Sequence, residues 1–97
     1  MRTDVIGKNV TVTDAIRQHA ESKLERLTKY WDGVQQMTVV FEQDKHGKFA
    51  VEVRVDVVKP QDFIAHAAGD DLNACIEIAV EKALRQLKDF KEKLRVH

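Results

Sequence analysis

The chain has 97 residues, 43% hydrophobic and 33% charged, with sixteen bases against sixteen acids and therefore no formal net charge. That is enough for one domain, residues 1–97, with a modest core and no disulfide staples, and too apolar for a disordered tail. No apolar run nears the ~18 residues of a membrane span, the N-terminus lacks the pattern of a signal peptide, and the single cysteine, Cys75, has no internal partner, so the expected location is a reducing cytoplasm with no membrane contact.

Glycine and proline are scarce, at four and one, so most of the chain should be regular structure, without linker, repeat or low-complexity tract. Residues 2–6 suit a short strand, and Gly7-Lys8-Asn9 breaks it. Thr13 then offers an N-cap, with Asp14 in the first turn. Ile16, Ala20, Leu24, Leu27 and Trp31 follow on one helical face, and Gly33 suits a C-terminal glycine.

From Val34 the period becomes two. Met37, Val39 and Phe41 alternate with Thr38, Val40 and Glu42, and "DKHGK" (44–48) supplies a turn. Phe49, Val51, Val53, Val55 and Val57 then alternate with Ala50, Glu52, Arg54 and Asp56, which means a strand with one face buried and one wet. "VKPQD" (58–62) turns the chain again, residues 63–68 make a last short strand, and Gly69-Asp70-Asp71 opens a long helix with Asp70 as its expected cap. The buried stripe of that helix is Leu72, Ile76, Ala79, Val80, Ala83, Leu87, Phe90 and Leu94.

The predicted order is β-α-β-β-β-α. A one-sided sheet and two amphipathic helices satisfy each other only if both helices stack on the apolar face, with the first helix a right-handed crossover. The expected fold class is α+β, a two-layer sandwich with a four-stranded sheet whose open face carries Glu52, Arg54 and Asp56.

Charge is unevenly placed. Residues 70–81 hold Asp70, Asp71, Glu77 and Glu81 without a base, whereas residues 82–97 hold six bases against Asp89 and Glu92. Helix-dipole complementarity accounts for such an order by itself. The first helix adds a polar stripe of His19, Lys23, Arg26 and Tyr30 beside its apolar one. Two such helices side by side would present cations with an aromatic among them, a surface able to follow a phosphate backbone by shape and charge.

Catalytic readings find little. His19, His46, His66 and His97 are scattered, Cys75 sits beside a buried stripe where a small filler is expected, and His66 alternates with Ala65 and Ala67 toward solvent. There is no CxxC, HExxH or glycine-rich phosphate loop, so neither an enzyme, a metal, a cofactor nor a small-molecule substrate is expected. Ile78 is apolar but off the buried stripe and has no assigned partner.

Four stretches in register resemble a known family: "GKNVTVTDAIR" at 7–17, "RLTKYWD" at 26–32, "GDD" at 69–71 and "KALRQLKDFKEKL" at 82–94. They are similar to the short bacterial ribosome hibernation factors and their ribosome-associated inhibitor relatives, across essentially the whole chain. The resemblance implies the β-α-β-β-β-α sandwich, a likeness to double-stranded RNA-binding domains, and a non-catalytic protein of stationary phase. Such a protein binds the small ribosomal subunit, its RNA and neighbouring ribosomal proteins, near the A and P sites and the messenger channel. It implies RNA contacts by Arg17, Lys23, Arg26, Lys82, Arg85, Gln86, Lys91, Lys93 and Arg95, with Lys88 carrying, one residue early, the charge the family usually places at Asp89. Asn73 stands where an aromatic is usual. The chain stops at His97 without the inhibitor subgroup's acidic tail or the long form's extra domain, which resembles the form that promotes ribosome dimers. The alternative is a protein-binding modulator of a sigma factor, a label also attached to relatives.

Overall fold

The computed structural model describes residues 2–57 and 62–95, the side chains of Leu94 and Arg95 excepted. The elements are β1 (Arg2–Lys8), α1 (Asp14–Tyr30), β2 (Val34–Gln43), β3 (Phe49–Val57), β4 (Asp62–Gly69) and α2 (Leu72–Arg95), in the predicted order. The turn expected at 58–62 lies, Asp62 apart, outside the described residues.

The sheet runs β1-β2-β3-β4. β1 pairs with β2 in parallel, Val5 opposite Val39, whereas β2–β3 and β3–β4 are antiparallel, with Val39 opposite Val53 and Val53 opposite Ala65. A register shift between Val34 and Gln36 lets Val34 and Met37, of opposite parity, both face the core. Met37, Val39, Phe41, Val51, Val53 and Val55 are at most 1% exposed, and so are Ala20, Leu24 and Leu27 of α1 and Ile76, Val80 and Leu87 of α2. Both helices therefore cover one face. Glu52, Arg54 and Asp56 remain on the other, as the alternation predicts.

Thr13 caps α1 as expected, its hydroxyl accepting from the Ile16 amide at 3.2 Å. Two helix ends differ from expectation. At α2 the cap is Asp71 rather than Asp70: its carboxylate accepts from the Ala74 amide at 3.3 Å and its carbonyl from the Cys75 amide at 3.0 Å. At the end of α1, Trp31 is the extended C-cap residue, its amide reaching the Leu27 carbonyl at 3.1 Å, and the indole leaves the helix face. The ring packs 5.9 Å from Phe90, which meets Phe63 edge-on at 5.1 Å, so three aromatics close this end of the core. Gly33 is needed for space rather than for a left-handed turn, because a Cβ there would lie 2.5 Å from the Trp31 ring.

Gly33→Ala should therefore destabilise by ~1–3 kcal/mol through overpacking, read as a lower urea midpoint at constant m-value. With Trp31→Leu in the background most of that loss should disappear. Strict additivity of the two substitutions would show that the ring is not the obstacle.

Candidate nucleic-acid interface

β4 runs parallel to β1 and β2, so the two helices that return from β1 and β4 run in the same direction, side by side. Their polar flanks meet in order along their length. Lys23 pairs with Glu77 at 3.2 Å, Arg26 with Glu81 at 3.9 Å, and the Tyr30 ring lies under two ammonium groups, Lys88 at 5.6 Å and Lys91 at 4.8 Å. Between them a groove of 250 Å³ is lined by Arg26, Glu81, Leu84, Arg85 and Lys88.

The predicted cations are thus divided among three places. Arg26, Arg85, Lys88 and Lys91 gather around the groove and the Tyr30 ring, and Lys23 adjoins them through Glu77. Lys82, Gln86 and Lys93 lie on the opposite flank of α2. The Lys82 ammonium donates to the His66 carbonyl at 2.9 Å, the Gln86 amide donates to the Ile64 carbonyl at 3.1 Å, and Lys93 borders a hollow with Phe63, Gln86, Asp89 and Phe90. β4 is an edge strand, and two of its outward carbonyls are met by these two side chains, which protects the edge from pairing with another strand. Arg17 is exposed on α1. It stands six residues before Lys23, about 120° round the helix from the flank that meets α2. Arg95 ends α2, its side chain outside the described residues.

The sequence stripe that held Lys23, Arg26 and Tyr30 also held His19, whose Nε2 is buried without a hydrogen-bond partner. Glu81 was expected on the solvent side of α2, but the pairing of Glu77 and Glu81 with cations of α1 was not anticipated. Their one-turn spacing, echoing that of Lys23 and Arg26, was the available signal. Away from the helices, His66 bonds Glu52 at 3.0 Å on the open face, beside a 410 Å³ hollow where Lys8 and Lys82 oppose Glu42 and Glu52, so its charges do not converge on a ligand of one sign. Cys75 is buried, and burial, then the Asp71 and Asp70 carboxylates, push its thiol above the ordinary value, which leaves it the filler role. Among the described residues no three metal-ligating side chains gather, and no helix is long and apolar enough to cross a membrane.

The family profile described as "Sigma 54 modulation protein / S30EA ribosomal protein" matches residues 3–95. The chain belongs to this family. The ribosome hibernation promoting factor of Escherichia coli K12 is 32% identical, in an alignment covering all of both chains. Among solved structures, a ribosomal subunit interface protein from Coxiella burnetii superposes with a TM-score of 0.86 at 25% identity, over 95% of this chain and 99% of that one. The N-terminal domain of Thermus thermophilus protein Y gives 0.80 at 34% identity, over 90% and 94%. These likenesses agree with the α+β fold and the family expected from the sequence.

If Tyr30 is the platform on which the basic residues are set, a double-mutant cycle between Tyr30→Leu and Lys91→Met should return a coupling of ~0.5–1 kcal/mol in folding stability, the size of an exposed cation–π contact. A coupling of zero would mean that the ammonium is not held there. The division of cations gives a second expectation, read from RNA affinity against salt. Lys88→Met should flatten the slope by roughly one phosphate's contribution, and Lys82→Met by distinctly less, because Lys82 is engaged at the β4 edge. Equal losses would put Lys82 back on the candidate surface.

Proposed function

We propose that the protein is a ribosome hibernation factor that lays its paired helices on RNA of the small ribosomal subunit, near the A and P sites and the messenger channel. There it blocks translation by occupying space that messenger and transfer RNA require. The observation that carries this reading is the meeting of Arg26, Arg85 and Lys88 along one inter-helix groove, with Lys88 and Lys91 over the Tyr30 ring. The names of the relatives, hibernation promoting factor and subunit interface protein, give the reading its partner.

The mode of action is occlusion by a non-catalytic protein. Folded RNA would be recognised through backbone position and shape, since helix-borne lysines and arginines reach phosphates but carry little base information. Promotion of ribosome pairing belongs to the same proposal. A modulator of a sigma factor is the second reading, favoured by the family's description and by Ile6 and Ile64, which stand 43% and 37% exposed on the sheet face away from the basic groove.

Sedimentation of the protein with vacant ribosomes through sucrose gradients tests this. About four neutralised phosphates would lose roughly a hundredfold in affinity between 50 and 200 mM salt. Wild type should therefore travel with the small subunit at low salt and leave it at moderate salt, and an Arg85→Glu, Lys88→Glu, Lys91→Glu variant should stay at the top throughout. A ribosome-dimer peak appearing with wild type would support the pairing function. Wild type remaining at the top at low salt would overturn the ribosome reading, and a pulled-down complex insensitive to RNase would favour the protein-binding one.

A further inference from the structure

The cations of the helical face are not equally free. Lys88 and Lys91 stand over a neutral ring, but Lys23 and Arg26 are already held by carboxylates of the other helix, Glu77 at 3.2 Å and Glu81 at 3.9 Å. These pairs do little for the fold. The four side chains are between one-third and two-thirds exposed, and exposed pairs contribute little to stability. Two acids inside a surface meant for a polyanion therefore need another reason.

Their position supplies one. Glu77 and Glu81 sit on successive turns of α2, on the flank that faces α1, and each occupies the place beside a cation that a phosphate oxygen would take. A phosphate on a loose strand arrives singly and must displace a carboxylate tethered within reach of its cation. Taking the cation breaks its ion pair and leaves an unpaired carboxylate beside the phosphate, and that cost offsets the usual gain from counterion release. A folded RNA is different. Once some of its phosphates are fixed on Arg85, Lys88 and Lys91, the next ones are presented at high effective concentration and at set positions. Unfavourable charge placed against the wrong partner is an ordinary way to sharpen selection.

We infer that Glu77 and Glu81 are specificity-determining residues: they withhold Lys23 and Arg26 from flexible polyanions and yield them to a folded RNA surface already seated on the rest of the groove. The inference rests on the helical face being the RNA-binding one.

The test compares Glu77→Gln/Glu81→Gln with a control of equal charge change on the open sheet face, Glu42→Gln/Asp56→Asn. Both substitutions are near-isosteric, and circular dichroism confirms folding. Binding to poly(U) and to purified small subunits is titrated against salt. Freeing two cations should steepen the poly(U) salt slope by about 1.4, from roughly 0.7 per cation on a single strand, and tighten poly(U) binding several-fold at low salt. The sheet-face control should move it little, and small-subunit binding by the groove variant should tighten less than poly(U) binding does. Equal poly(U) shifts for the two variants, or a groove variant that gains as much on small subunits as on poly(U), would overturn the inference while leaving the ribosome reading intact. Wild type that ignores small subunits at low salt would instead overturn the ribosome reading, whatever happens with poly(U).

Discussion

The one-sided hydrophobicity of β2 and β3 is the constraint on which the rest of the molecule depends. Val39, Phe41, Val51, Val53 and Val55 are sealed on one face, and Thr38, Glu52, Arg54 and Asp56 keep the other face polar. Only one face can therefore accept helices. Because β1 and β4 are parallel, the chain leaves both at the same end of the sheet, and α1 and α2 return alongside each other in the same direction. Two parallel helices bring their C-terminal dipole ends together, which favours the bases clustered there in Lys29, Lys88, Lys91 and Lys93. The basic end thus complements the helix dipoles and forms the groove, and the two explanations of the charge pattern do not compete.

The neutral total hides a separation between layers. The two helices carry ten bases and seven acids, and the strands with their connections carry six bases and nine acids. A dipolar arrangement of this kind orients the helical side toward an anionic partner without giving the whole protein a positive charge, and so without general attraction to every nucleic acid. The pairing of Lys23 and Arg26 with acids from α2 applies the same restraint locally.

Element order, the burial of the strands and both helical stripes were legible in the sequence, Leu94 apart, whose side chain lies outside the described residues, because periods of two and 3.6 report which side of each element is covered. Most of the misjudged details depend on tertiary neighbours. Trp31 continues the α1 stripe on a helical wheel, yet Phe90 and the space above Gly33 draw it out as a cap residue. Asp70 and Asp71 are indistinguishable as caps until the first helical turn is placed. For the candidate site, the sequence offered the cations, but neither the flank each one takes nor the groups it meets. Lys82 and Gln86 look like surface groups along α2 alone, and only the course of β4 beneath them shows that they meet its carbonyls. Whether Lys23 is free depends on the register of α1 against α2, which no pattern within either helix records.

The architecture also bears on which face suits the proposed RNA contact. Sheet-based RNA-binding modules stack unpaired bases on aromatic side chains of the open face. Here that face presents Thr38, Val40, Glu52, Arg54, Ile64 and His66, and the aromatics Phe41, Phe49 and Phe63 stand at strand positions of the opposite parity, with the helices. Arg54 is engaged by Asp62 at 3.7 Å, and His66 by Glu52. Base stacking on the sheet is therefore poorly supported, and the helical side is left with cations, one half-buried aromatic and a groove. Such a surface suits backbone and shape recognition. A protein that acts by filling space has no need to read sequence: it needs a rigid body and cations that engage when a folded RNA offers phosphates at the right spacing. In the proposed role the sealed core supplies the first, and the α1–α2 groove, with Lys23 and Arg26 beside it paired to acids, supplies the second.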